Sequence, residues 1–134
     1  METDLILLAI NELHQKANLA LENKDLTAYT AMFGNDLSFT PFEKPTINKH
    51  DFTIDLKKYF SGIKEIQTSH YRIKSSIEDD IFMEKIARKS VILKPNLLIF
   101  SKKQTIQTEE IYHWKNIRGE WKVIAVGIVL EEKY

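Results

Sequence analysis

Glu110, Tyr112 and Trp114 alternate along one stretch of the chain, separated by Ile111 and His113. Alternate residues of a strand share a face, so this spacing sets a carboxylate, a phenol and an indole side by side. Such a set suits proton transfer. A glutamate enclosed by apolar walls has its charged form disfavoured, so its pKa rises and it can act as a base near neutral pH. A tyrosine hydroxyl, from Tyr112 or from the more distant Tyr29, can donate to an oxygen on which charge develops. His70 and Arg72 form a second alternating pair. Arg72 can pair with Glu110 or hold an anionic ligand through its planar fork; both residues can equally sit on a solvated rim. Tyr29, Tyr112 and Trp114 also carry two readings, pocket wall or ordinary core.

Other chemistries find little support. Cysteine is absent, so there is no thiol nucleophile, disulfide or cysteine-ligated zinc. His14, His50, His70 and His113 show no metal-ligand spacing, and no phosphate loop, nucleophile elbow or dinucleotide fingerprint occurs. Neither a metal nor a cofactor is therefore expected. Nineteen basic side chains balance nineteen acidic ones, which argues against a nucleic-acid or membrane partner. Lys85, Arg88 and Lys89 form a small basic cluster, read as a solvated strand face. The apolar stretch at 5–10 is too short to span a bilayer and has no secretory-signal pattern, so a cytoplasmic location is expected. The 134 residues, 43% hydrophobic and 28% charged, are expected to form one domain over 1–134.

The elements that must position these residues emerge from periodicity. Thr3 can cap a first helix whose stripe is Leu5, Leu8, Ala9, Leu13, Ala17, Ala20 and Leu21, widened by Ile6 and Ile10. Asp25 can cap a second helix over 26–33, with Gly34 as its left-handed end. Residues 36–42 read as a short edge strand running into Pro41. Asn48 caps a third helix, with Asp51 placed for a reciprocal exchange; Phe52, Leu56, Tyr59, Phe60 and Ile63 form its stripe and Gly62 its end. Strands come next over 66–77 and 81–93, joined at Glu78, Asp79 and Asp80. Pro95 and Asn96 turn the chain into a strand over 97–100, and Lys102, Lys103 and Gln104 read as a polar interruption or bulge. A ribbon over 105–130 turns at Arg118 and Gly119.

A two- or four-residue loop at that last turn pairs Trp114 with Val123, Tyr112 with Ala125, Glu110 with Gly127 and Thr108 with Val129 on one side. The other side then carries Ile111, Ile124, Val126, Ile128 and Leu130. A last strand apolar on both faces is normally covered on both. The helices can cover one face, so Ile111, Ile124, Val126 and Ile128 are expected to meet a second copy of the chain.

The order of elements resembles the nuclear-transport-factor-2-like superfamily, the cystatin-like cone, and within it the SnoaL-like and ketosteroid-isomerase-like branches. Three segments carry the resemblance: Asn23-Lys24-Asp25-Leu26-Thr27-Ala28-Tyr29 between the first helices, Asp36-Leu37-Ser38-Phe39-Thr40-Pro41 in the first strand, and the closing hairpin from Tyr112-His113-Trp114-Lys115 to Gly119-Glu120-Trp121-Lys122-Val123-Ile124. The resemblance implies an α+β fold: a conical α+β barrel of three N-terminal helices packed on a strongly bent, mostly antiparallel sheet. It also implies a pocket at one end and a homodimer through the convex sheet face. In it the face with Glu110, Tyr112 and Trp114 looks into the cone. Thr40 stands where many of the superfamily's enzymes have Asp or His, which favours a noncatalytic module binding a small apolar ligand. The alternative is a lyase or isomerase with Glu110 as general base.

Overall fold

Six strands lie in the order β2-β1-β6-β5-β4-β3 in a computed structural model that describes residues 2–96 and 100–134. The elements are α1 (Glu2–Glu22), α2 (Leu26–Thr30), β1 (Phe33–Thr40), β2 (Ile47–Asn48), α3 (Lys49–Ser61), β3 (Glu65–Glu78), β4 (Ile81–Asn96), β5 (Phe100–Ile117) and β6 (Glu120–Lys133). Strands β3 to β6 form an antiparallel meander, and β1 joins β6 in parallel, so the sheet is mixed and open. It curls around the helices as the expected cone. Among the described residues no helix is long and apolar enough to cross a membrane.

Several boundaries differ from the sequence reading. The first helix already includes Glu2, so Thr3 lies inside it and caps nothing. Its buried stripe is Ile10, His14, Ala17, Ala20 and Leu21, while Leu5 and Leu8 are 67% and 58% exposed. The second helix stops at Thr30, and Gly34 is a strand residue rather than a left-handed cap. Strand β1 is not an edge, because β2, unforeseen in the sequence, pairs with it on one side and β6 on the other. Asn48 caps α3 as expected by accepting from the Asp51 amide. Pro95 and Asn96 continue β4, opposite Ser101 and Phe100, and β5 runs through 102–104 without a bulge. The strand expected over 97–100 lies, apart from Phe100, outside the described residues.

Among the described residues, two tight turns set the register of the meander. Asp79 and Asp80 both have positive φ, as do Arg118 and Gly119, the backbone of two-residue hairpin turns. The last hairpin starts as expected, with Trp114 opposite Val123. It then departs. One extra residue, Ile124, enters β6 between Val123 and Ala125, and a second, Val129, between Ile128 and Leu130. Each bulge twists its strand more strongly and moves the residues beyond it to the other face. Tyr112 therefore pairs with Val126, and Glu110 with Ile128. Val126 is 4% exposed in the core. Val126 and Ile128 thus face inward and cannot lie on the convex surface assigned to them; Ile111, opposite Gly127, keeps its outward place.

Candidate functional site

The inner face of the sheet is lined by alternate residues of three strands. Strand β3 supplies Thr68, His70 and Arg72; β4 supplies Glu84, Arg88 and Ser90; β5 supplies Thr108, Glu110, Tyr112 and Trp114. Direct pairs on this face include Thr68 with Ser90, His70 with Arg88, Arg88 with Thr108, and Glu84 with Tyr112. Long side chains reach the diagonal neighbour two residues along. The diagonals here are Arg88 to Glu110, Arg72 to Glu84, and Trp114 to Glu84, and each is a polar contact.

Two buried carboxylates result, each wrapped in donors. Glu110 accepts from Tyr112 Oη at 2.7 Å, Thr108 Oγ1 at 2.7 Å and Arg88 Nε at 3.3 Å. Burial acts to raise its pKa, but Arg88 and these hydrogen bonds outweigh burial and hold the carboxyl below the usual range. Glu84 accepts from His14 Nε2 at 2.7 Å, Trp114 Nε1 at 2.6 Å and Arg72 Nε at 3.0 Å. Burial opposes its ionisation too, and His14, Arg72 and Trp114 prevail, so its pKa is also lowered.

Helix α1 ties the two groups together. Asn18 accepts from Arg88 Nη1 at 2.9 Å and donates to His70 Nδ1 at 3.0 Å. Arg88 Nη1 also donates to Thr68 Oγ1 at 2.9 Å. The His14 and His70 rings lie 4.5 Å apart. Partial burial, with His14 and Arg88 close by, lowers the His70 pKa to about 4. Around Arg88 and Glu110 opens a cavity of about 180 Å³ between α2, α3 and the sheet. Tyr29, Phe33, Phe39, Phe52, Val126 and Ile128 are among its walls. The Tyr29 hydroxyl has no hydrogen-bond partner among the described residues, and burial raises its pKa, so it stays protonated.

Neither a family model nor any curated protein matches the sequence. Solved structures do match along nearly the whole chain. A conserved protein from Planctomyces limnophilus DSM 3776 superposes with a TM-score of 0.85 at 12% identity, covering 100% of both chains. A nuclear transport factor 2 (NTF2-like) superfamily protein from Salmonella enterica serovar Typhimurium gives 0.81 at 10% identity, over 94% of this chain and 91% of the other. A hexachlorocyclohexane dehydrochlorinase (LinA) type 2 gives 0.77 at 11% identity, over 100% and 93%. The chain has the nuclear-transport-factor-2-like fold. At these identities the likeness is one of fold.

Within this cone the residues singled out from sequence divide into two groups. Glu110, Tyr112 and Tyr29 meet at the cavity. Trp114 is fully buried, but it serves Glu84 and does not line that space. His70 and Arg72 do point inward. Arg72, however, pairs with Glu84 and with Asn11 Oδ1 at 2.8 Å, not with Glu110, because its diagonal partner is on β4. Gly127 leaves no room beside Glu110, since the bulge moves it opposite Ile111. Thr40 bonds Thr46 at 2.7 Å away from the cavity.

The residues that the sequence reading misses are Arg88, Glu84, His14 and Asn18. The sequence groups Arg88 with Lys85 and Lys89 as solvated, but Arg88 is 9% exposed. Alternation from the apolar Phe82, Ile86 and Ile92 gives Glu84, Arg88 and Ser90 the inward parity. That is the signal available, and charge argues against it.

Proposed function

We propose that the protein binds a small molecule in this cavity and performs no acid-base chemistry with Glu110. The supporting observation is the clamp on that carboxylate. A general base needs a pKa near the working pH and an oxygen free to take the proton. Glu110 has a lowered pKa, and both of its oxygens already accept hydrogen bonds from Thr108, Tyr112 or Arg88. Such a pair stays ionised and fixes Arg88 and Tyr112 in place. A lyase or isomerase reading would require Glu110 to leave Arg88 during turnover. Titration of the Glu110 carboxyl carbon by NMR tests the choice. A midpoint below the ordinary value of 4.5 is expected; a midpoint near neutrality would overturn the binding reading in favour of a general base. A second copy of the chain is proposed to cover the outer sheet face around Ile111, the face opposite the one that carries Glu110 and Tyr112.

A further inference from the structure

We propose that the cavity takes a neutral molecule of about one ring, bearing one acceptor oxygen that receives a hydrogen bond from the Tyr29 hydroxyl. The inference rests on the binding reading above and narrows it to a ligand class. Three observations carry it.

The first is size. The space measures about 180 Å³. An apolar cavity of ~150 Å³ accommodates one benzene molecule, so a single ring with a short substituent fits within the walls, and a fused bicycle would project from the open side. The walls at Phe33, Phe39, Phe52 and Val126 are aromatic or branched aliphatic, suited to a flat apolar body.

The second is charge. Among the described residues, Arg88 and Glu110 are the only charged side chains lining the space, and they pair with each other. An added anion would lie beside Glu110 and an added cation beside Arg88. Either would be desolvated without a free counter-charge, which is costly. A neutral ligand avoids both penalties.

The third is an open hydroxyl donor deep in the wall. The hydroxyls of Tyr112, Thr108 and Ser90 all donate to protein acceptors. Tyr59, also on the wall, is half-buried and neighbours Glu131. Tyr29 is 8% exposed and its hydroxyl meets no protein partner among the described residues. Among those residues, the one sealed side-chain polar atom without a partner is His14 Nδ1. The Tyr29 hydroxyl therefore borders free space, where a ligand oxygen can accept from it. A ketone or ether oxygen can accept from this hydroxyl; Arg88 Nη2 and the Tyr59 hydroxyl, on the same wall, also meet no protein partner among the described residues.

The test follows the Val126 and Ile128 methyl signals by NMR during titration with four probes: acetophenone, ethylbenzene, benzoate and 2-acetylnaphthalene. Acetophenone is expected to bind most tightly. Tyr29→Phe should weaken it by about tenfold, the effect of one hydrogen bond, and leave ethylbenzene unchanged. That unchanged ethylbenzene affinity also reports that the variant folds. Ile128→Trp, which fills the space, should abolish binding of both. Equal affinity for acetophenone and ethylbenzene, with no effect of Tyr29→Phe, would overturn the anchor but leave the binding reading standing. Tighter binding of benzoate would overturn neutrality, and equal binding of the naphthyl ketone would overturn the size limit. Silence from all four probes would overturn this inference and the binding reading together.

Discussion

Replacing Arg88 with methionine isolates the physics of the inner site. Arg88 and Glu110 side chains are each 8% exposed. Removing one member of a buried ion pair leaves the other charge stranded, at a cost of about 3–5 kcal/mol. That is a large part of a typical domain's ~5–15 kcal/mol. The loss should depend on pH in a defined direction. In the native protein Glu110 has a lowered pKa, so its contribution is complete above the unfolded value of 4.5 and fades as pH falls through the folded value. In Arg88→Met, burial, the largest influence on Glu110, loses its main opponent. With only the Thr108 and Tyr112 hydrogen bonds left to oppose burial, the folded pKa is expected to rise above the unfolded one. The contribution of Glu110 is now complete below 4.5 and fades as pH rises through the raised value.

The variant should therefore trail the native protein most at pH 8 and much less near pH 4. Urea denaturation at several pH values measures the gap. Adding Glu110→Gln removes the stranded charge while keeping a group that Thr108 and Tyr112 can bond. The double variant should recover at least half of the loss at pH 8, and the cycle gives the coupling directly. A gap that stays constant from pH 4 to pH 8, with no recovery in the double variant, would refute the assignment of Glu110 as a buried, arginine-held anion.

Two further outcomes are expected. Because the His70 pKa is lowered to about 4 from 6.5, the unfolded chain takes up its proton first as pH falls; stability should drop between pH 6.5 and 4, and His70→Gln should flatten that slope in urea titrations. If a second copy covers the outer face, sedimentation should show a dimer for the native chain and monomer for Ile111→Lys; a native monomer at micromolar concentration removes the idea. Val126→Lys, the substitution that the sequence alone would suggest for testing that dimer, would instead place a charge in the core.

Much of the cone is legible in the sequence because its signals are local. The Arg118-Gly119 turn fixes the first pairs of the last hairpin, and Asn48 caps its helix through the Asp51 amide. Alternation alone places Glu110 and Tyr112 on one face, and they share it. The errors begin where a local rule meets a tertiary one. The bulges at Ile124 and Val129 carry no glycine or proline to announce them, since β-branched residues occupy both positions. The strand accepts them because curling the sheet buries Val126 and Ile128 against Tyr112 and Glu110. Phe33 and Gly34 read as a helix end because pairing with β6, distant in sequence, is what draws them into β1. Arg88 is misread for a related reason: whether a charged residue is solvated or paired depends on partners that no spacing within its own strand reveals.

The docking of α1 shows how the polar groups resolve an ambiguity that hydrophobicity leaves. The helix is apolar on two sides, through Leu5 and Leu8 and through Ile6 and Ile10, and the first side is the one left in solvent. Asn11, His14 and Asn18 recur at spacings of three and four, so they form one line that faces the sheet, exposed at Asn11 and buried at His14. Each meets a different charged residue of the sheet: Asn11 meets Arg72, His14 meets Glu84 and Asn18 meets Arg88. Sliding the helix by one turn, about 5.4 Å, would leave Glu84 without His14 and Arg88 without Asn18. An aliphatic stripe would lose little in such a slip, because one leucine replaces another. A buried charge that loses its partner loses far more. The same polar line that joins Glu84 to Glu110 therefore also fixes where α1 sits, and with it the shape of the cone in which the cavity opens.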